Sequence, residues 1–399
     1  MSRRPRTRHL KAQKEGNSPL FCAAWASSGP NSRKEDISYV LSGKIASDTA
    51  SASILELTRY DFKEDLLSEA IQQITEDDSP QSIAVHPGGD GAICSFSRSC
   101  KLYELGKKEH FQLKASDQNL VSLKGIGLQV ALVFSADGSR LAAAGKDGHL
   151  RVFEWPSLNL LFDQPDGCGL LSSIDISLDG AFLAAIPATG NCCRVWEIEK
   201  STIVATIQHT DKMEVFGSCR FSRDGTKPFL FLTLSKGGVG AIGVWVMDTW
   251  NKVGIKTFSK DPITSFAISD DGKWLAIGSA AGAIHVIEVK KMQTTQLLKN
   301  AHTSGLTFLG FSPNGRALLS FSSDSSVRVT KLNIGRVWKE WQIYALLLSL
   351  ILASAVLFYI FFEHSDSFWN FPLGRDQPAR PPPEAIYGSM ADFDGGEFM

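Results

Sequence analysis

The chain of 399 residues carries 41 Lys and Arg against 42 Asp and Glu, a formal net charge of -1, with 43% hydrophobic residues. That apolar content is ordinary for a folded protein and excludes a disordered chain. A charge balance so near zero offers no global attraction to phosphate, so a nucleic-acid partner is not expected.

Residues 1 to 17 hold Arg3, Arg4, Arg6, Arg8, Lys11 and Lys14 against Glu15, with no apolar run behind them. The pattern excludes a secretory signal peptide. It reads as a basic disordered arm, with a transit peptide as the alternative on basicity alone.

From residue 18 to 335 one pattern returns. It is clearest over residues 130 to 155: an alternating strand, an Asp137-Gly138 turn, a strand from Arg140 to Ala144, a second turn at Asp147-Gly148, and a strand ending at Trp155. Asp-Gly accepts the positive φ that tight hairpins need, so each half is a strand-turn-strand signal. The first turn recurs at Asp90-Gly91, Asp179-Gly180, Asp224-Gly225, Asp271-Gly272 and Asn314-Gly315, at intervals of 47, 42, 45, 47 and 43 residues. Third strands end alike at Val195-Trp196, Val244-Trp245, His285 to Ile287 and Val327 to Val329, and residues 203 to 207 and 255 to 258 supply outer strands. A weaker seventh unit stands in front, with Trp25, Tyr39 to Leu41 and Ile54 to Leu57. A period in the forties with four strands per unit predicts an all-β, seven-bladed WD-repeat-type β-propeller, although no unit keeps a Trp-Asp pair. A β-sandwich would not repeat at this period.

Motifs that carry chemistry are sparse. Gly43-Lys44 resembles the end of a phosphate loop, but no glycine stands five residues earlier and Ile45 occupies the Ser/Thr position, so that reading fails. The eight histidines form no close ligand set, and His86 and His285 read as blade residues. The Asp-Gly pairs read as turn residues rather than general acids or bases. Seven cysteines include no Cys-x-x-Cys pair, and the odd count fits free buried thiols. Neither a cofactor nor a metal is expected.

Residues 343 to 362 are twenty in a row without a charge. A helix of that length reaches about 30 Å, the thickness of a bilayer's hydrocarbon core, and predicts a single transmembrane helix. Trp338 and Trp341 flank one end, Phe368 and Trp369 the other, as in interfacial aromatic belts. Arg328, Lys331, Arg336 and Lys339 precede the span, whereas Glu363, His364 and Asp366 follow it, which places the long N-terminal part in the cytosol. Residues 363 to 399, rich in proline and acidic side chains, then form a lumenal disordered tail.

A family resemblance adds to this reading. The propeller followed by Trp-Gln-Ile-Tyr-Ala-Leu-Leu-Leu, the span and Phe361-Phe-Glu-His-Ser-Asp-Ser-Phe-Trp-Asn-Phe-Pro372 resembles the plant Sec-twelve-like, membrane-anchored propellers of the endoplasmic reticulum. So do Ala84-Val-His-Pro-Gly-Gly-Asp-Gly91, Asp147-Gly-His-Leu-Arg-Val-Phe-Glu-Trp-Pro-Ser157 and Phe221-Ser-Arg-Asp-Gly-Thr-Lys-Pro-Phe229. The resemblance implies one of two roles. Archetypes of the family are exchange factors that load GTP on the small GTPase of the COPII coat. A plant branch, the phosphate transporter traffic facilitators, helps newly made phosphate transporters leave the endoplasmic reticulum.

One loop in the first blade separates the two. Exchange factors carry there a glycine run and an asparagine before the third strand, organised around a potassium ion. Here the segment reads Leu41-Ser-Gly-Lys-Ile-Ala-Ser-Asp-Thr-Ala-Ser-Ala-Ser-Ile54. Gly43 alone remains of the run, Ser53 stands in place of asparagine, and Lys44 adds a positive charge where a cation would sit. Residues 53 to 61 resemble the traffic-facilitator branch. The resemblance therefore implies a trafficking factor acting by binding rather than as an enzyme, with Ser42, Gly43, Lys44, Asp48 and Ser53 as a degenerate partner-binding loop. Phosphate transporters are the expected cargo and a COPII small GTPase a further partner. The exchange factor itself and a generic propeller scaffold are the alternatives.

Overall fold

The computed structural model describes residues 13–15, 20–26, 36–45, 53–89, 91–106, 112–116, 123, 129–165, 169–209, 213–332 and 340–364. Two units, residues 1 to 333 and 334 to 399, are distinct.

The first unit is a seven-bladed β-propeller. Each blade is a four-stranded antiparallel meander running from the central channel outwards. Blade 1 comprises Leu20–Ala26, Ile37–Ile45, Ser53–Asp61 and Leu66–Glu76. Blade 2 comprises Pro80–Val85, Gly91–Phe96, Cys100–Leu105 and Leu113–Ala115. Blades 3 to 6 follow in the same order, from Gln129–Phe134 at the start of blade 3 to Gln293–Leu298 at the end of blade 6. Blade 7 takes Leu306–Phe311, Ala317–Ser322 and Ser326–Lys331, and its outer strand is Gln13–Glu15.

That last strand moves the expected boundary. Gln13, Lys14 and Glu15 pair with Arg328, Val327 and Ser326, so the propeller begins inside the stretch read as a disordered arm. Three backbone pairings close the ring with residues that carry no apolar alternation. Side chains reinforce the junction of blades 7 and 1. Trp25 Nε1 donates to the Gly310 carbonyl at 2.9 Å, Lys331 Nζ to the Phe62 carbonyl at 3.0 Å, and the Arg316 guanidinium lies 4.8 Å over the Phe62 ring.

Four of the repeated turns use one device, whereas in blade 5 the Ser222 hydroxyl donates to the Lys227 carbonyl. Ser135, Ser177, Ser269 and Ser312 each donate to the Asp or Asn two residues on, and each hydroxyl accepts the amide that starts the second strand. The aspartates are thus turn residues. Blade 2 departs from the expected register, because the left-handed residue there is Gly89 (φ 76°), whose amide donates to the His86 carbonyl at 2.9 Å. Gly91 already belongs to the second strand, where a Cβ would stand 2.9 Å from the Tyr103 carbonyl oxygen. Asp90 lies outside the described residues.

Alternation along the inner strands sends apolar side chains into the seams between blades, where most of the core sits. The seam of blades 1 and 2 holds Cys22, Leu41, Leu55, Leu57, Cys94 and Phe96. The second unit contains the helix Glu340–His364, in which Tyr344–Phe361 is long and apolar enough to cross a membrane, with mean hydropathy 2.4. Ser349 and Ser354 donate to the Leu346 and Ile351 carbonyls of their own helix at 2.7 and 2.9 Å. Hydroxyls satisfied in this way carry little cost in hydrocarbon. Of the tail expected at residues 363 to 399, Glu363 and His364 belong to the helix, and the rest lies outside the described residues.

Candidate functional site

The segment singled out in blade 1 is a hairpin whose second and third strands pair without interruption from Ile37 opposite Asp61 to Ile45 opposite Ser53. Four of the five candidate residues fall in its stem. Ser42, Gly43 and Lys44 end the second strand and Ser53 opens the third, whereas Asp48, at the tip, lies outside the described residues.

Three of the four stem residues are already engaged. Lys44 Nζ lies 2.5 Å from Glu56 Oε1, and Gln73 Nε2 donates to the same oxygen at 2.8 Å. Glu56 is 6% exposed, so the ion pair is screened from water on one side. Gly43 presses against the next blade: a Cβ there would meet Pro80 Cγ at 2.8 Å and Cys22 Sγ at 3.0 Å. Burial pushes the Cys22 thiol up to about 12, against a hydrogen bond from the Gly43 backbone. Ser53 is fully buried and donates its hydroxyl to the Asp78 carbonyl at 2.5 Å.

Around the stem the two blades share a polar shelf that the motif reading missed. Glu76 accepts from Tyr103 Oη at 2.5 Å and from Lys101 Nζ, and the Asp78 carboxylate accepts the Arg98 and Ser79 amides at 2.6 and 3.0 Å. Burial first, and the hydrogen bond to Glu76 second, push the Tyr103 phenol far above its ordinary value. One signal for the shelf stood in the sequence: Glu56 takes an inward place in the alternation of residues 53 to 61, where a charge needs a partner.

Two further polar sites lie elsewhere. The central channel encloses about 900 Å³, with Trp25, Ile83 and Phe308 on one side and Asp175, Arg220 and Arg223 on the other. There Arg223 pairs with the buried Asp175 at 2.8 Å. Ahead of blade 7, buried His302 contacts Ser326 Oγ through Nδ1 at 2.6 Å and Ser320 Oγ through Nε2 at 2.8 Å. Among the described residues no three His, Cys, Asp or Glu side chains gather to hold a metal ion.

Comparison with known proteins places this geometry in a family. Residues 118–154, 253–288 and 293–330 match the WD domain, G-beta repeat, in blades 3, 6 and 7. Over 93% of its length the chain is 38% identical to SEC12-like protein 1 of Arabidopsis thaliana, of which it covers 94%. The chain belongs to the SEC12-like proteins. It is 36% identical to SEC12-like protein 2 of the same plant, over 70% of this chain and 72% of that one. Identity to the guanine nucleotide-exchange factor SEC12 of Mus musculus is 23%, over 58% and 61% of the two chains. In this SEC12-like propeller Gly43, Lys44 and Ser53 of the first-blade stem are held by Pro80, Glu56 and Asp78.

Proposed function

We propose that this SEC12-like chain is a non-catalytic trafficking factor of the endoplasmic reticulum. Its helix tethers the propeller on the cytosolic face, with the residues after it in the lumen, and it promotes exit of phosphate transporters towards the plasma membrane. The observation that carries the reading is the occupied stem of the first-blade loop. Lys44 is committed to Glu56, Gly43 to close packing on Pro80, and Ser53 to the Asp78 carbonyl. A loop that turns its carbonyls inward needs glycines free of such packing, and a site for a bound cation is poorly served by a fixed ammonium.

The second reading, an exchange factor for the COPII small GTPase, is favoured by the 23% identity to a mouse protein of that name. Nucleotide exchange on that GTPase, measured with the full-length chain in detergent micelles, separates the two. No acceleration over the spontaneous rate is expected, and clear acceleration overturns the non-catalytic reading. Removing the chain from cells should deplete phosphate transporters from the plasma membrane and leave other cargo in place. A general secretion defect would instead support the exchange factor.

A further inference from the structure

The innermost strands of blades 3 to 7 reach the central channel through equivalent positions, two residues before the serine of each turn: Val133, Asp175, Arg220, Ala267 and Gly310. Val133, Ala267 and Gly310 are small, and they help to leave the channel its volume of about 900 Å³, within the range of sites that enclose a ligand. The other two are charged neighbours. Asp175 is 1% exposed and already satisfied, accepting the Phe221 amide at 2.7 Å and pairing with Arg223 at 2.8 Å. Arg220 has no acidic partner among the described residues. Its Nη1 donates to the Cys219 carbonyl at 2.6 Å and lies 3.3 Å from Ser173 Oγ. Its Nε and Nη2 make no hydrogen bond among the described residues, and neither is buried.

At the mouth of the channel the charge reverses. The turn of blade 6 is seated on that of blade 5: Gly272 adopts φ 68°, and a Cβ there would stand 2.8 Å from the Arg223 carbonyl carbon. That contact gathers Asp224, Asp270 and Asp271, all exposed, on one side of the opening, where Lys273 pairs with Asp271 at 3.3 Å. Asp270 stands one residue after its turn serine and Arg220 two before its own, so the acidic mouth lies three strand positions, about 10 Å, from the guanidinium.

We propose that the channel receives the carboxyl-terminal end of a partner protein, with its terminal carboxylate on Arg220 and a basic side chain three residues earlier at Asp224 and Asp270. Nε and Nη2 are two guanidinium donors that hold a carboxylate through parallel hydrogen bonds. A chain end enters as one extended strand, whereas an internal acidic residue would need the chain to enter and return through the same opening. Three residues of extended chain span about 10 Å, which matches the step from the mouth to Arg220. Ile83, Val133 and Phe308 offer apolar wall to the terminal side chain. The mouth carboxylates repel an acidic residue at the place where they attract a basic one, so the depth of the channel selects a chain end and its mouth selects the sequence.

The test titrates full-length protein in nanodiscs of zwitterionic lipid with peptides labelled at the N-terminus: Gly-Ser-Lys-Thr-Val-Leu with a free carboxylate, the same peptide amidated, and its counterpart with Glu for Lys. The free acid is expected to bind at least about tenfold more tightly than the amide. It should bind about threefold more tightly than the Glu counterpart, an advantage that shrinks as salt is raised to about 0.5 M. Arg220→Gln should abolish the preference for the free acid, and Asp224→Asn with Asp270→Asn the preference for Lys. Should Arg220→Gln unfold, a benzophenone side chain in place of the peptide's Val reports on the parent protein, with crosslinks expected on residues 83 to 85, 132 to 134 and 308 to 311. Equal binding of acid and amide, indifference to Arg220→Gln, or crosslinks confined to the outer surface would overturn the proposal. So would displacement of the peptide by N-acetylleucine at a comparable concentration, which would assign the channel to a small organic acid.

Discussion

Lys44 and Glu56 face each other across the first-blade hairpin at 2.5 Å, and the carboxylate they share with Gln73 is almost wholly removed from water. Removing the ammonium leaves a buried charge with one neutral donor. Lys44→Met should therefore destabilise the propeller by about 1–3 kcal/mol, whereas Lys44→Met combined with Glu56→Leu should recover most of that loss. Denaturant unfolding of the two single variants and the double variant measures the coupling, and additive losses would show that the pair contributes nothing.

Gly43 abuts Pro80 of the next blade so closely that a methyl group would stand 2.8 Å from Pro80 Cγ. Gly43→Ala is expected to cost about 1–3 kcal/mol through displacement of Pro80, seen as a lower unfolding midpoint. An unchanged midpoint would mean that the seam of blades 1 and 2 yields freely.

Tyr103 donates to Glu76 from a fully buried position. Tyr103→Phe keeps the ring and removes the donor, so a loss of about 1–2 kcal/mol is expected from the weakened shelf between blades 1 and 2. Calorimetric unfolding of the variant beside the parent decides it.

His302 gives the propeller a dependence on mild acid. Burial pushes its imidazole down to about 4, with Asp324 opposing and Arg328 reinforcing the shift. The unfolded chain has an ordinary value of about 6.5 and binds the proton first, so stability should fall as pH is lowered from about 6.5 to about 4. Partial burial raises Asp324, but hydrogen bonds from Ser326 and Thr303 outweigh it and hold the carboxylate well below its usual range. Its contribution is therefore lost at more acid pH, as the carboxylate protonates. Unfolding midpoints from pH 7 to 4 should slope downward in the parent and flatten in His302→Gln, and parallel curves would remove His302 as the cause.

The blades of this propeller were legible because the same constraint repeats: a hydroxyl, an Asp or Asn and a left-handed glycine recur at a period too regular for a sandwich. Gly138, Gly180, Gly225, Gly272 and Gly315 all adopt positive φ as the turn requires. Blade 2 broke the register because the glycine of its Asp-Gly pair sits two residues beyond the left-handed Gly89, and glycines at positions 88, 89 and 91 look alike on paper. Gln13–Glu15 was invisible for a different reason: an edge strand held only by backbone pairing needs no alternation. At the candidate site, Gly43, Lys44 and Ser53 could be named only through the resemblance to the exchange-factor loop. Their partners Pro80, Glu56 and Asp78 come from the adjoining strand and from the start of the next blade, and only the folded hairpin and the packing of the two blades bring them near.

The closure of blade 7 bears on how the chain is held where it leaves the propeller. The strand Ser326–Lys331, from which the chain leads on towards the helix, is clasped between Ala317–Ser322 and Gln13–Glu15. A pull on the chain beyond Lys331 would have to break two ladders of hydrogen bonds at once, where an edge strand would give up one. The first few residues of the blade-closing strand thus act as a mechanical latch on the last ones, and clipping residues 1 to 15 should let the propeller be drawn open at a lower force.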